Sequence, residues 1–486
     1  MTTEAPIVFD LIEQRQILER ASVEPELDEE QAVETDSLLG VSKRKIPRRL
    51  ILLFAILVLF YFSVLCTVPV SIDLNYRYVC SHYDIAQEMC SRDELANKVV
   101  ANFTGVNTSL SGAFSLFVAS MISIMSDIKG RKPMFVAAMT MNCLAVATSW
   151  KIYFHTSTEH SYWILLLPTI IDGLGGGGVA ILQLLTVPYI SDMVPEAKNR
   201  TRLMAMSTGS LLVAVALGPA SASWIVPRFG QETLYIGAIA GTGLSAALAF
   251  VFLRESLSPY HKRRNSESGP RFKKTARSIT FKSISDPIVR RNARLLGICT
   301  LLVVEYNHAF TSILILFPKL RFGWTAVEAG YLLSSMFSIR AFWFVLGFPF
   351  LYKLLSRRYT LHSDRVDVVD KLLMSAALTI GSLATLAMGL SKTPKQYFLS
   401  GIFDSCTALG TPIFLSALVK HVPSTEVGSF MAAFNVCISA LSTFAPSLFM
   451  KLYSVTLEWK PELSFELLSG TFALLLLLVM SMRPAR

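Results

Sequence analysis

Long apolar stretches alternate with short polar stretches over most of this chain. From residue 50 onward, the apolar stretches are about 20 residues long, the length that an α-helix needs to cross about 30 Å of hydrocarbon. Core helices of soluble proteins are seldom so long and so free of charge. The pattern therefore predicts an all-α membrane protein with about twelve transmembrane helices.

The polar breaks place the predicted helices in two sets of six on either side of one basic segment. The first set, helices 1–6, lies near 50–72, 105–125, 133–154, 162–190, 203–225 and 232–253. The second set, helices 7–12, lies near 295–317, 326–352, 371–390, 397–418, 425–446 and 465–482. The predicted domains are an acidic, disordered N-terminal segment (1–49), an N-terminal six-helix bundle (50–253), a basic linker (254–294), a C-terminal six-helix bundle (295–482) and a short tail (483–486).

Lys and Arg residues are distributed unevenly between the two ends of these helices. If the N-terminus is cytoplasmic, most of the 45 Lys and Arg residues fall on the cytoplasmic side, as the positive-inside rule requires. We therefore expect both termini and the linker in the cytoplasm. Glu34, Leu38 and Leu39 have the spacing of an acidic dileucine sorting signal. The expected location is the plasma membrane, with a vacuolar or endosomal membrane as the alternative, and the expected state is a monomer.

Composition agrees with the membrane class and argues against several others. Of all residues, 52% are hydrophobic and 16% are charged, whereas about a quarter are charged in soluble proteins. The net charge of +10 is spread over short segments instead of one face, which argues against nucleic-acid binding. The seven Cys residues form no metal-type cluster, and no His or Asp cluster indicates an enzyme. We predict no metal and no cofactor.

The segment between helices 1 and 2 is the longest predicted external loop. It contains an acceptor pattern for N-glycosylation at Asn102, and a second pattern, at Asn107, falls at the start of predicted helix 2. Cys80 and Cys90 share this loop, and an oxidising compartment favours an internal disulfide between them. Two unpaired thiols, or pairing with another chain, are the alternatives.

A charged motif follows helix 2 directly, in the order Asp127, Gly130, Arg131 and Lys132. Asp127 is suited to charge-assisted hydrogen bonds, Gly130 to a tight turn, and the two cations to carboxylates or helix C-termini across the cleft between the halves. An ordinary positively charged loop with a turn glycine is the simpler interpretation. The motif nevertheless resembles the loop 2-3 signature of the major facilitator superfamily, with Ser123 in place of the leading glycine.

The resemblance covers nearly all of the chain from residue 50. It implies the major facilitator fold, in which two pseudo-symmetric six-helix bundles surround a central cavity and rock to expose that cavity to each side in turn. It also implies that Asp127, Gly130, Arg131 and Lys132 act in conformational switching and do not contact the substrate. The implied partners are a small-molecule substrate, protons and the lipid bilayer.

Helix 4 contains a glycine-rich run from Gly173 to Gly178 that formally satisfies G-x-G-x-x-G. A dinucleotide site would need a preceding strand in a soluble βαβ unit, and neither is predicted here. Gly173 and Gly177 have the G-x-x-x-G spacing that lets two membrane helices approach closely, so we interpret them as helix-packing residues. Thr169 stands where the family often has an arginine.

Helix 5 contains a Gly-Pro pair, Gly218 and Pro219. It resembles a degenerate form of the signature that the drug and proton antiporters of the superfamily carry at this position. A Gly-Pro pair also serves simply as a helix kink, so it is weak support for efflux.

Five ionisable residues lie at membrane depth, away from the ends of the predicted helices: Asp172, Glu305, His308, Arg340 and Asp404. Each costs about 2.5–3.5 kcal/mol on insertion scales, so such groups usually face a cavity or a partner. Glu305 and His308 share a helix face and are candidates for loading and releasing protons. Arg340 is a candidate to neutralise Glu305 or Asp404, or to bind an anionic substrate. A static buried ion pair is the alternative.

A looser resemblance concerns the large outer loop, with its paired cysteines and glycosylation patterns, together with His308. These features look like the solute-carrier group that contains the proton-coupled folate transporter, and they imply symport of an organic anion. The drug-efflux relatives imply the opposite direction. A sensor that keeps the transporter fold is a further alternative, although the predicted C-terminal tail is short. The leading hypothesis is a secondary active transporter of a small organic molecule, coupled to protons.

Overall fold

A computed structural model describes residues 48–87, 89–156, 161–193, 197–256, 287–347, 350–351, 354–355, 357–358, 366–422, 427–457 and 459–482. All regular secondary structure in these ranges is helical. The dileucine pattern, most of the linker and the tail fall outside them, so the expectations for these segments remain predictions. Eight helical spans among the described residues are long and apolar enough to cross a membrane.

The helices of the N-terminal half follow the predicted order, with three interruptions. Helix 1 consists of Arg48–Leu65 and Val68–His82, and helix 4 consists of Leu167–Leu174 and Gly178–Met193 after a short turn at Tyr162–Leu166. Helices 5 and 6 form one element, Ala197–Phe252, that breaks at Gly230, where φ is 84°. Helices 2 and 3 are Glu94–Lys129 and Arg131–His155.

The helices of the C-terminal half also follow the predicted order. Helix 7 is Pro287–Phe322, helix 9 is Val368–Gly389, helix 11 is Val427–Thr456 and helix 12 is Leu463–Ser481. Helix 8 is Ala326–Phe342, continued by a π-turn at Trp343–Gly347. Helix 10 consists of Pro394–Asp404 and Gly410–Val419, joined by a 3₁₀ turn at Ser405–Leu409.

The predicted external loop is much shorter than expected, because helix 1 continues to His82 and helix 2 begins at Glu94. Helix 1 restarts at Val68 with a proline in its first turn, a position that tolerates the missing N–H. The Asp93 side chain accepts a hydrogen bond from the Ala96 N–H and caps helix 2. The linker is also shorter than expected, since helix 7 already begins at Pro287.

Glycines bring the two halves into close contact, where helix 2 packs along helix 11 and helix 5 packs along helix 8. A Cβ atom at Gly112 would lie 2.8 Å from the Thr443 Cα, and one at Gly330 would lie 2.7 Å from the Pro219 carbonyl oxygen. Any larger side chain would force the helices apart. Small residues are the usual means of close approach between membrane helices.

Gly218 has a packing role within the N-terminal half. A Cβ atom on it would lie 3.1 Å from the Cys66 backbone nitrogen, so helix 5 crosses helix 1 closely at this point. The Gly-Pro pair therefore lies where helix 5 contacts both helix 1 and helix 8. This is a packing arrangement that needs no drug-transport function.

A buried charge cluster joins the start of helix 9 to the end of helix 10. The Lys420 Nζ atom lies 2.8 Å from Asp367 and 2.7 Å from Asp370, and both carboxylates are almost completely buried. Burial alone would lower the pKa of Lys420, but the hydrogen bonds and charges of the two carboxylates outweigh it and raise that pKa. Lys420 therefore remains charged at neutral pH.

Replacing this lysine tests how strongly the cluster stabilises the C-terminal half. We expect Lys420→Met to lower the free energy of unfolding by about 3–5 kcal/mol, because two buried carboxylates lose their cation. The matched control is Lys371→Met, which removes an ammonium that donates to the Met480 and Met482 backbone carbonyls and, among the described residues, to no carboxylate. Denaturant unfolding in detergent micelles measures both losses. Equal losses for the two variants would contradict the expectation.

Candidate functional site

Glu305 on helix 7 is a buried carboxylate, and one of its two oxygens accepts a hydrogen bond. Its Oε1 accepts a hydrogen bond of 2.8 Å from the Ser442 hydroxyl of helix 11. Its Oε2 is buried and has no hydrogen-bond partner among the described residues. The side chain of His308, one turn away, lies outside the described set. A carboxylate in this state has room for one more donor or for a proton.

Arg340 on helix 8 and Asp404 on helix 10 form an ion pair of 2.7 Å. The Asp404 side chain is completely buried, whereas that of Arg340 is 15% exposed. Tyr306 of helix 7 lies beside the pair and interacts electrostatically with both members. Of the two partners predicted for Arg340, the structure pairs it with Asp404, while Glu305 contacts Ser442.

The pair is incompletely satisfied within the described part of the chain. The Arg340 Nε is buried without a hydrogen-bond partner there, and the Asp404 Oδ1 has no close partner although the Tyr306 hydroxyl interacts with this carboxylate. Because a buried unsatisfied polar atom costs about 1–3 kcal/mol, such atoms are concentrated where a proton, water or ligand completes the site. Helices 7, 8, 10 and 11 thus bring Glu305, Arg340 and Asp404 into one half of the protein.

The switch-loop residues form a compact cluster at the ends of helices 2, 3, 4 and 6. The Arg131 guanidinium contacts Asp127 at 2.5 Å and Asp192 at 3.2 Å. The Arg131 backbone N–H donates to Glu255 at 2.8 Å. Among the described residues, the carboxylate partners of Arg131 belong to the N-terminal half, because Arg131 starts helix 3 beside the ends of helices 4 and 6. Contacts of this motif with carboxylates or helix C-termini across the cleft remain a prediction.

Two further residues of the motif have local roles. Gly130 ends helix 2 and precedes helix 3 with a φ of 117°, a conformation that favours glycine. The Lys132 ammonium lies 5.5 Å from the centre of the Phe250 ring of helix 6. The Lys132 contact holds the 2-3 turn against its own bundle.

At the opposite end, an ion pair joins the two halves. The Lys319 ammonium, near the end of helix 7, contacts Asp73 in the second part of helix 1, and both side chains are largely buried. The other Asp73 oxygen accepts a 3.0 Å hydrogen bond from the Ala326 N–H, at the start of helix 8. Lys319 also lies over the Tyr76 ring, 4.9 Å from its centre. We call Asp73, Lys319, Tyr76 and Ala326 the end gate.

The end gate was not predicted from the sequence. Asp73 was placed just outside helix 1, whose predicted end at residue 72 was ten residues short of the observed end at His82. Lys319 was likewise placed just beyond helix 7. Asp73 and Lys319 are charges of opposite sign just beyond two apolar stretches, which is the pattern of a possible ion pair. Nothing in the sequence indicates, however, that these two ends meet.

Next to the end gate, Cys80 and Cys90 form a disulfide. Neither of the predicted glycosylation sites lies in a loop, because helix 2 includes both Asn102 and Asn107. Asn102 is exposed. Asn107 is partly buried and accepts a 2.5 Å hydrogen bond from Thr169 of helix 4, which argues against its modification.

Helix 4 is broken at its glycine run. Gly176, Gly177 and Gly178 have φ values of 90°, 77° and 21°, so the chain leaves the helix after Leu174 and re-enters it at Gly178. Gly177 lies in the break and shares no helix face with Gly173, so the interpretation of Gly177 as a helix-packing residue was wrong. Gly173 does pack closely, because a Cβ atom there would lie 2.7 Å from the Phe114 Cβ of helix 2.

Asp172 lies one turn before this break. The Asn142 amide of helix 3 donates to its Oδ1 at 2.8 Å. Its backbone carbonyl accepts hydrogen bonds from the Gly175 and Gly177 N–H groups, which closes the turn. Asp172 is therefore far along the chain and in the opposite half from Glu305, Arg340 and Asp404, and the structure separates it from that group.

Comparison with known proteins identifies the family. A sequence profile of the Major Facilitator Superfamily matches residues 50–446. Among similar proteins, the uncharacterized membrane protein YJL163C of Saccharomyces cerevisiae is 22% identical, over 87% of this chain and 81% of that protein. The MFS efflux pump atnC of Emericella nidulans is 23% identical, over 77% of this chain and 72% of that protein.

A third relative and a solved structure extend the comparison. The lysosomal proton-coupled steroid conjugate and bile acid symporter SLC46A3 of Gallus gallus is 24% identical, over 79% of each protein. The crystal structure of the human organic anion transporter MFSD10 aligns with 90% of this chain and all of that chain, with 16% identity and a TM-score of 0.58. The predicted major facilitator fold is confirmed, and the chain belongs to the Major Facilitator Superfamily, a family of membrane transporters.

Proposed function

We propose that this chain is a secondary active transporter that moves a small organic molecule by alternating access, driven by protons. The observation that carries the proposal is Glu305, a buried carboxylate with one oxygen on Ser442 and the other without a partner among the described residues. A proton on that oxygen removes a charge that the membrane interior disfavours. Binding and release of that proton are therefore suited to drive a conformational cycle.

The position of Ser442 supports coupling between this proton and the movement of the two halves. Ser442 precedes Thr443, whose Cα lies against Gly112 of helix 2. Helices 2 and 11 belong to different halves. Protonation of Glu305 weakens its role as acceptor for Ser442, at the point where helix 11 packs on the other bundle. The charge state of Glu305 is thereby linked to this interface.

Arg340 supports a second assignment, recognition of an anionic group on the substrate. Its guanidinium is held by the fully buried Asp404 on one side and is partly exposed on the other. Arginine is well suited to carboxylates and other oxyanions because of its planar set of donors. Uptake of an organic anion with protons is therefore the alternative to efflux of a metabolite or drug.

The end gate and the switch-loop cluster support alternating access. With both termini in the cytoplasm, the end gate closes the outer side, because Lys319 and Ala326 of the C-terminal half hold Asp73 of the N-terminal half. The Arg131 cluster lies at the cytoplasmic ends and keeps the N-terminal bundle rigid. We propose the plasma membrane or a vacuolar or endosomal membrane as the location, since the chicken relative is lysosomal by name.

Glu305→Gln tests the coupling. We expect this variant to lose proton-driven accumulation of substrate by about 100-fold, because the amide cannot exchange a proton, while substrate exchange at equal concentrations persists. Purified protein in liposomes, with a panel of bile acids, steroid conjugates, folates and fluorescent drugs, measures both activities.

The control for this variant is Ser442→Ala, which removes the hydrogen bond and keeps the carboxylate. It is expected to retain proton-driven accumulation with a shifted pH profile. Accumulation that Glu305→Gln leaves unchanged would exclude Glu305 as the coupling group. If no substrate of the panel changes proton flux with the unmodified protein, the proposal of proton-coupled transport fails.

Asp73→Asn tests the end gate. We expect it to favour opening at this end, because Lys319 loses its counter-charge inside a largely buried site. The readout is alkylation of a cysteine placed at the buried Ala329 by a membrane-impermeant maleimide, after replacement of the five free cysteines. If loss of the ion pair lowers the free energy of opening by about 1.4 kcal/mol, labelling becomes about tenfold faster.

The control for the end gate is Glu462→Gln. Glu462 pairs with Arg321 at 2.6 Å, at the same end but within the C-terminal half. Labelling of the Ala329 position should stay unchanged in this variant. Equal labelling rates in Asp73→Asn and in the parent protein would show that the pair does not hold the halves together.

A further inference from the structure

The break in helix 4 has a counterpart in the other half. Helix 4 is the fourth helix of the first bundle, and helix 10 is the fourth of the second. Asp172 lies just before the glycine break in helix 4, and Asp404 ends the first part of helix 10 before its 3₁₀ turn. In transporters built from repeats, discontinuous helices at corresponding positions mark binding sites near the membrane midplane.

The two carboxylates differ in how their charge is balanced. Asp404 has the Arg340 guanidinium at 2.7 Å. The groups found around Asp172 in the described part of the chain are the Asn142 side chain and the Gly178 N–H, both of them neutral. A carboxylate at this depth in a membrane needs a cation or a proton to compensate its charge. Among the described residues no side-chain cation contacts Asp172, and the N-terminus of the second part of helix 4, at Gly178, supplies only a partial positive charge.

The surroundings of Asp172 contain one further unsatisfied acceptor beside the donors that contact the carboxylate. Asn142 is 5% exposed, and its Oδ1 is buried without a partner among the described residues. A Cβ atom on Gly178 would lie 2.5 Å from the Asn142 Nδ2 and 3.0 Å from the Asp172 Oδ1, so both side chains line the break. The first part of helix 4 ends here with a partial negative charge, and the second part begins at Gly178 with a partial positive charge.

These acceptors distinguish a metal cation from a proton. A proton on Asp172 would satisfy one acceptor and leave the Asn142 oxygen unsatisfied, whereas a cation contacts several oxygens at once. Unwound backbone carbonyls and the C-terminal ends of half-helices coordinate Na⁺ in transporters with broken helices. Carboxylate and amide oxygens are further ligands of hard cations. One carboxylate balances one positive charge, which favours a monovalent ion over a divalent one.

We propose that Asp172, the Asn142 carbonyl oxygen and the broken backbone of helix 4 form a binding site for a monovalent cation, Na⁺. The site goes beyond the proposed proton coupling, because it lies in the other half and does not involve Glu305. Bound Na⁺ holds the two parts of helix 4 and helix 3 together. It takes the place that the Arg340 guanidinium has beside Asp404.

The test is thermal unfolding of the full-length protein in detergent, with NaCl replaced stepwise by choline chloride at constant ionic strength and fixed pH. A ligand that binds the folded state raises the melting temperature. We expect a saturable rise of a few degrees with Na⁺. The rise is expected to disappear in Asp172→Asn, and the half-saturating Na⁺ concentration is expected to increase about tenfold or more in Asn142→Ala.

The matched control is Thr169→Val, which removes the hydrogen bond between helix 4 and Asn107 but leaves Asp172 and Asn142 in place. It should keep the full Na⁺ effect. Binding of radioactive ²²Na⁺ to the purified protein gives a second readout where a variant is too unstable for melting. No substrate is needed, so the outcome is independent of the transport proposal.

Two outcomes would overturn the proposal. One is a melting temperature that does not respond to Na⁺ at fixed pH but does respond to pH through Asp172, which would identify a proton site. The other is an equal Na⁺ response in the parent protein and in Asp172→Asn, together with equal ²²Na⁺ binding, which would place any cation elsewhere.

Discussion

The cost of a charge inside the hydrocarbon layer is the constraint on which this structure depends most. Water is absent there, so each charged group needs a partner of opposite sign or a hydrogen-bonded neighbour. Arg340 and Asp404 satisfy this requirement for each other, and Glu305 satisfies half of it through Ser442. Asp172 has only neutral neighbours among the described residues. The incomplete cases are the places where a mobile ion, a proton or a substrate can change the energy of the protein.

The charged clusters at the two ends of the molecule differ in a way that fits a rocking mechanism. The end gate joins the halves, because Asp73 and Lys319 come from different bundles. The Arg131 and Lys420 clusters, as far as the structure describes them, each bind helices of one bundle. Strong contacts within a bundle favour a rigid bundle, and a buried ion pair between bundles can be broken and reformed. The proposed alternating access needs movement of this kind, confined to the interface.

The sequence predicted the helices and the rare intramembrane charges well, because both follow from composition along the chain. Arg340 and Asp404 stood out since a charge in an apolar stretch is costly wherever its partner lies. The end gate was not predictable, because the meeting of helices 1 and 7 is a tertiary contact and the predicted end of helix 1 was too early. The break at Gly177 was missed for a related reason. A glycine run allows both close packing and a left-handed backbone, and only the surrounding structure selects between them.

The arrangement of helix 11 explains how a local change in charge can reach the whole molecule. Ser442 contacts Glu305 of its own half, and the adjacent Thr443 packs on Gly112 of the other half. Because Gly112 has no side chain, helices 2 and 11 are in backbone contact there, and even a small rotation of helix 11 must be taken up across the interface. In the proposed mechanism, a proton on Glu305 acts one residue away from the surface on which the two halves move. The end gate holds one end of the interface between the halves. Under this proposal, protonation and opening therefore influence the same equilibrium.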